Sequence, residues 1–258
     1  MGVLNVTPDS FSDGGLFLDA DAAVAHGVQM MDEGAEVIDV GGASTRPGSA
    51  QPSEDEEAAR VVPVIARLAA LDRARISIDT MTASVARSAV QAGATLINDI
   101  SASLWPVAAE TGTAWAAMHM QGTPATMQTD PHYEDVVGEV LAFLMHRADQ
   151  ARGAGVGEVW IDPGFGFGKS VDHNLALLAH LGDFCATSYP VLVGLSRKSM
   201  LGALAPNPDG SVPAADDRLE ASIAGAVFAA TKGVGMVRVH DVAATVAAVR
   251  IVCDQVGE

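Results

Sequence analysis

A chain of 258 residues, 49% of them hydrophobic, suits one α/β barrel or two smaller domains and can bury a sizeable core. Its formal net charge of -17 argues against a nucleic-acid surface or an anionic membrane partner, so an anionic ligand requires a local cluster of cations. Cys185 and Cys253 are too few for a disulfide framework, no stretch gives eighteen uninterrupted apolar residues, and no basic-then-apolar leader opens the chain; a reducing cytoplasm is the simplest setting.

The chain opens on a short apolar strand, Gly2-Asn5, that stops at an asparagine. Similar runs follow at Glu36-Val40, Arg75-Asp79, Thr95-Asp99, Ala114-His119, Glu158-Asp162, Val191-Leu195 and Met236-Val239. They are mostly apolar on both faces, as parallel strands covered by helices are. Between them, helical spacing marks Asp21-Glu33, Glu54-Leu71, Ser84-Ala92, a short Trp105-Thr111, Tyr133-Gly153, Asn174-Leu181, Arg218-Lys232 and Val242-Val256. Asp21 and Ser84 are the expected N-caps, and Gly34, Gly93 and Gly233 the expected left-handed C-caps. Strand alternating with helix predicts right-handed crossovers and a parallel sheet. An open doubly wound sheet is the alternative, but eight units in this length favour a closed (β/α)8 barrel, one domain over residues 1–258, with a site on the C-terminal edge of its strands.

That edge carries Asn5, Asp79, Asn98, Asp162, Lys198 and Arg238. Two amides, two carboxylates and two cations suit a flat heterocycle with amino and oxo edges, because a guanidine-like NH edge pairs with a carboxylate and ring carbonyls take donors. Gly164, Gly166 and Gly168 would let backbone approach a ligand while Phe167 supplies a wall; a plain Gly-rich turn is the competing reading. The loop Gly41-Gly48 offers hydroxyls, amides and Arg46, and with Arg238 and His240 it would make the cationic cluster an anion needs. Asn5 and Asp9 could meet a hard cation; Mg²⁺ on a diphosphate keeps most of its waters, so one Asn oxygen is enough, while an Asn after a strand is by itself usually a turn former. Ser199, entering a helix after Ser196-Arg197-Lys198, either holds a carboxylate or simply caps that helix. The histidines, His119 included, show no paired metal spacing.

Taken together, the segments Met1-Gly15, Ser44-Gly48, Asn98-Ile100, Met118-Gly122, Asp162-Lys169, Ser196-Lys198 and Arg238-Asp241 closely resemble dihydropteroate synthase, in family order from the first residue to the last helix. The resemblance implies a TIM barrel of folate biosynthesis, a cytoplasmic homodimeric transferase and sulfonamide target. It would join 6-hydroxymethyl-7,8-dihydropterin diphosphate to 4-aminobenzoate, giving 7,8-dihydropteroate and diphosphate, with Mg²⁺ as cofactor. Carried over residue by residue, Asp79, Asn98, Asp162 and Lys198 hold the pterin, Met118 and Phe167 line its pocket, and Arg238 flanks the ring and reaches the diphosphate with His240. Thr45 and Asn5 serve the diphosphate and its Mg²⁺; Ser199, Lys198, Phe11, Arg46 and Pro47 build the aminobenzoate site. Catalysis falls to Lys198, Arg238 and Asp79. Two departures stand out: Ala43 occupies a position where the family usually has Glu, and Ser101-Leu104 is shorter than usual. A pterin-dependent methyltransferase barrel and a pterin-binding module without turnover are the competing readings; the Thr45-Arg46 and Lys198-Ser199 loops argue against the first.

Overall fold

The computed structural model describes residues 1–7, 15–44 and 51–256. Strands and helices alternate as β1 (Gly2–Asn5), α1 (Gly15–Asp32), β2 (Val37–Gly41), α2 (Glu54–Ala69), β3 (Arg75–Asp79), α3 (Ala83–Gln91), β4 (Leu96–Asp99), α4 (Trp105–Thr111), β5 (Ala114–Met118), α5 (Val136–Gly153) and β6 (Val159–Asp162). The chain continues through α6 (Val171–Ala179), α7 (Leu181–Cys185), β7 (Leu192–Val193), α8 (Ser199–Leu204), α9 (Leu219–Thr231), β8 (Met236–Val237) and α10 (Val242–Val256). Strands β1 to β6 pair in parallel in chain order, and β7 pairs with β8. Single parallel bridges join the two groups, Ile161 to Val191 and Gly2 to Val239. Backbone bonds reinforce the second junction: Val3 donates to Val239 and Val239 to Met1, each at 2.9 Å. The ring of eight therefore closes, its last two strands touching their neighbours only briefly.

The helices form for ordinary reasons. In α2 the Ser53 hydroxyl accepts from the Glu56 amide while the Glu56 carboxylate takes the Ser53 amide, and four acidic residues sit in the first turn, against the positive end of the helix dipole. Val61, Val64, Ile65 and Leu68, at helical spacing, are fully buried against the sheet. Gly34, Gly93 and Gly233 close α1, α3 and α9 with φ of 99°, 115° and 89°, as expected.

The expected N-caps are corrected. Asp21 lies inside α1, which begins six residues earlier at Gly15. Ser84 is inside the first turn of α3 and donates to Glu54 at 2.6 Å, so Thr82 holds the cap position, without a side-chain cap bond. The helix expected over Asn174-Leu181 starts earlier, at the Ser170–His173 capping box, and breaks at His180 into two.

Side-chain alternation decides what faces the lumen. Leu96, Ala114 and Ala116, with Met1 and Trp160 against them, plug its lower part. Above this apolar floor the inward positions turn polar: Asp39, Ser77, Asp79 and Asn98. The outward neighbour Asp99 is wholly buried and accepts from the amides of Ser101, Ser103 and Leu104, the Ser101 hydroxyl and the Trp115 indole. The short Ser101-Leu104 segment is thus wrapped tightly about one carboxylate, which fixes the end of β4 and with it Asn98.

Candidate active site

Strand register brings the expected residues together. Asn5 pairs with Gly41, Gly41 with Asp79 and Asp79 with Asn98 across β1 to β4. A side chain on Gly41 would lie 3.5 Å from the Asp79 Cβ and 3.8 Å from the Asn5 amide oxygen, so the two flank the same open position. From β8, Arg238 reaches across the lumen: its Nε donates to Asp39 Oδ2 at 2.6 Å and its Nη2 to Asp79 Oδ2 at 2.7 Å. Asn98 Nδ2 donates to the same Asp39 oxygen at 2.9 Å. Asp39 ends an apolar run in the sequence, yet nothing local separates a site residue from strand punctuation, and it is absent from the predicted set.

On the far side, Asp162 is 5% exposed and one of its oxygens takes the Gly164 amide at 2.7 Å. Lys198 lies over the Phe167 ring, 4.0 Å from its centroid, while Phe165 is buried in the core. Met118, 4% exposed, closes the pocket beneath Gly164.

The glycines act differently from the expectation. Each of Gly164, Gly166 and Gly168 has positive φ (68°, 79° and 64°). A Cβ on Gly164 would sit 2.0 Å from the His119 carbonyl oxygen, and one on Gly168 would sit 2.4 Å from that of Gln121. The close approach of Gly164 and Gly168 is to the loop after β5, whereas Gly166 faces the Lys198 side chain at 3.3 Å. Lys169, which the sequence reading passed over, locks this arrangement. It is 3% exposed, and its Nζ meets His119 Nδ1 and the carbonyls of His119, Gly164 and Phe167 at 3.0 to 3.2 Å. Burial lowers its pKa to about 7 and that of His119 to about 3, so the imidazole is a neutral acceptor. Replacing Gly164 by Ala is expected to destabilise the fold by about 2–4 kcal/mol, strain and overlap combined, measured by urea unfolding.

The loop after β7 is held just as firmly. Arg197 has φ of 61°, its amide donates to the Ser222 hydroxyl, and its carbonyl accepts from Arg218 at 2.8 Å. Its guanidinium grips Asp241 through two bonds and also meets Asp216. Lys198 occupies the N-cap of α8 and Ser199 is the first helical residue, exposed at the mouth. The capping alternative for Ser199 is thereby corrected. His240 Nδ1 lies 3.0 Å from the Ser196 hydroxyl. Burial, then Arg238 and Arg197, push its pKa down to about 4, so it brings a hydrogen bond, not charge, to the cationic cluster. Thr45 and Arg46, with Asp9, Phe11 and Pro47, lie outside the described residues.

The charges across the basin perturb one another. Burial pushes Asp162 up to about 6 against the Gly164 amide and the nearby cations. Asp79 is raised by burial despite Arg238. Lys198 falls to about 8 through burial and the adjacent Arg238. For a divalent cation, no group of three His, Cys, Asp or Glu gathers among the described residues, but Asn5 is exposed at the mouth beside Asp79. One amide oxygen fits an ion held mainly by diphosphate and water, the coordination habit of Mg²⁺.

This geometry has close counterparts. The family described as "Pterin binding enzyme" matches residues 1–240. The dihydropteroate synthase of Haemophilus influenzae is 50% identical over 252 residues, covering 95% of this chain and 89% of the relative. The structure of the Xanthomonas albilineans dihydropteroate synthase with 4-aminobenzoic acid superposes with a TM-score of 0.91 at 44% identity, covering 100% of this chain and 93% of that one. The same organism's enzyme in complex with 7,8-dihydropteroate gives 0.87 at 42% identity, covering 100% and 93%. With its barrel, its basin and these relatives in agreement, the chain belongs to the pterin-binding enzymes and, among them, to the dihydropteroate synthases.

Proposed function

We infer that the chain condenses 6-hydroxymethyl-7,8-dihydropterin diphosphate with 4-aminobenzoate, releasing diphosphate and 7,8-dihydropteroate, and that the residues at the barrel mouth divide this work as follows. The observation that carries the assignment is one basin bounded by the linked set Asp79, Arg238 and Asn98 on one side and by Asp162, Lys198 and Phe167 on the other. Asp162 takes the N–H edge of the aminopyrimidinone, and Asn98 and Asp79 take its remaining polar edge. Lys198 donates to ring oxygen and nitrogen, Met118 and Phe167 enclose the faces, and Arg238 flanks the ring and reaches toward the diphosphate with His240. Ser199, with Thr45 and Arg46, receives the aminobenzoate carboxylate and the diphosphate.

In the reaction the bond between the pterin methylene and the diphosphate oxygen breaks, and the electron pair leaves with the diphosphate. The aromatic amine then bonds the methylene carbon and gives up a proton. Arg238 and the His240 hydrogen bond stabilise the departing charge, while the carboxylates of Asp79 and Asp162 stabilise an electron-poor ring. Asn5 would hold Mg²⁺, which supplies neutralisation of the diphosphate when bound. The reading extends to a cytoplasmic homodimer, supported by two unpaired cysteines and by exposed apolar side chains such as Phe228 and Ile251; sedimentation equilibrium checks the oligomer. No described helix is long and apolar enough to cross a membrane.

The test is diphosphate release with both substrates and Mg²⁺. Pterin binding without release would reduce the protein to a binding module. A pH profile adds a second check. A protonated Asp162 cannot accept the N–H edge, so kcat/KM for the pterin diphosphate is expected to rise with pH through about 6. It then falls above about 8, where Lys198 loses its proton. A flat profile from acid to alkaline pH would count against both assignments.

A further inference from the structure

Among the described residues, Asp39 is the buried carboxylate of the lumen that the reaction above does not use. It is 0% exposed and stands in register with Val3 and Ser77 on the neighbouring strands. One of its oxygens, Oδ1, has no hydrogen-bond partner among the described residues, and neither has the Ser77 hydroxyl. A wholly buried acid with half of its acceptors unused adds little to stability, since apolar packing of similar volume commonly does as well. Its other oxygen carries two bonds, from Arg238 Nε at 2.6 Å and Asn98 Nδ2 at 2.9 Å.

Both donors belong to residues assigned to the pterin. With its nitrogen turned down to Asp39, the Asn98 amide keeps its oxygen for the mouth. With Nε on Asp39 and Nη2 on Asp79, the Arg238 guanidinium is held between two carboxylates from different strands, which fixes the plane it presents to a ring. Ring-stacking by arginine depends on that plane, and hydrogen bonding by an amide depends on which end faces the ligand.

We propose that Asp39 is a positioning residue of the pterin site, a single buried oxygen beneath the basin that sets the orientation of Asn98 and Arg238 together without touching substrate. The inference rests on the assignment of those two residues to the pterin.

Two substitutions separate its shape from its charge. Asp39→Asn keeps an oxygen where both donors converge and removes the charge; Asp39→Ala removes both. The Ala variant is expected to lose about 100-fold in kcat/KM for the pterin diphosphate, and the Asn variant to recover to within about 10-fold of the parent. The KM for 4-aminobenzoate should stay within about twofold in each, a split that general loosening of the barrel would not produce. Combined with Arg238→Ala, the Ala variant should cost clearly less than its roughly 100-fold alone, keeping only the share that acts through Asn98, because the share that acts through the guanidinium is already lost. Near-normal kinetics in Asp39→Ala, losses that multiply in the double variant, or equal damage to both substrates would each overturn the proposal. So would failure of either variant to fold, which would assign Asp39 to stability. A normal Arg238→Ala enzyme would instead sink the pterin assignment itself, and that outcome is read independently.

Discussion

Lys198→Ala should lower kcat/KM for the pterin diphosphate by about two to three orders of magnitude, the loss seen when a preorganised donor is removed from a desolvated site. The side chain lies over Phe167 and is electrostatically linked to Asp79, Asp162 and Arg238, so it sits where an aromatic face and both carboxylates meet. Because Ser199 follows it directly at the start of α8, the same truncation should also raise the KM for 4-aminobenzoate. The cost to folding is small. Lys198 makes no capping bond, and its contact with Phe167 contributes about 1 kcal/mol. A second signature follows from the charges. The ammonium helps keep Asp79 and Asp162 ionised, so without it the acid limb of the pH profile moves to higher pH. Steady-state kinetics across pH with each substrate varied would check all three effects, and a variant within about threefold of the parent would remove Lys198 from the site.

The parts readable from the sequence are those fixed by local periodicity and by strand ends. Eight strands were placed within a residue or two because buried parallel strands are short apolar runs bounded by turns, and β2 and β5 are buried at every position. Asp79, Asn98, Asp162 and Arg238 enter the candidate set because each stands at the end of such a run, and Lys198 because it opens the loop and helix just beyond one. Helix starts were read less well at Asp21 and Ser84, since an acidic or hydroxyl residue near a helix end caps only if the chain turns there. Asp39 was missed for a different reason. It ends a run like its neighbours, and only the reach of Arg238 from 199 positions away makes it part of the basin. Lys169 resembles any lysine after a glycine-rich turn until its ammonium is seen among three carbonyls and an imidazole. The glycine motif itself was recognised, but its purpose lies in backbone packing between two loops, which no single-chain pattern reveals.

Asp162→Asn should separate function from stability in opposite directions. The carboxylate is nearly inaccessible and its pKa is raised to about 6 by burial, above its unfolded value. A raised acid binds its proton more tightly when folded, so its contribution favours the fold below the unfolded pKa and is lost as pH rises through about 6. At neutral pH the ionised group therefore costs stability, on the order of 2–3 kcal/mol from a shift of that size. Asparagine keeps an oxygen for the Gly164 amide and removes the buried charge. The variant should melt a few degrees higher at pH 7.5, with the difference shrinking toward pH 4. Its amide, however, offers the N–H edge of the heterocycle one acceptor and an opposing donor where the carboxylate offered a charged acceptor. A polar ligand edge left unpaired in a desolvated pocket loses far more than a missing methylene does, so kcat/KM should fall by about 100-fold or more, chiefly through pterin binding. Differential scanning calorimetry at two pH values with titration calorimetry of the pterin would read both halves. A variant that is less stable yet binds normally would mean that Asp162 is kept for the turn at Gly164 rather than for the ligand.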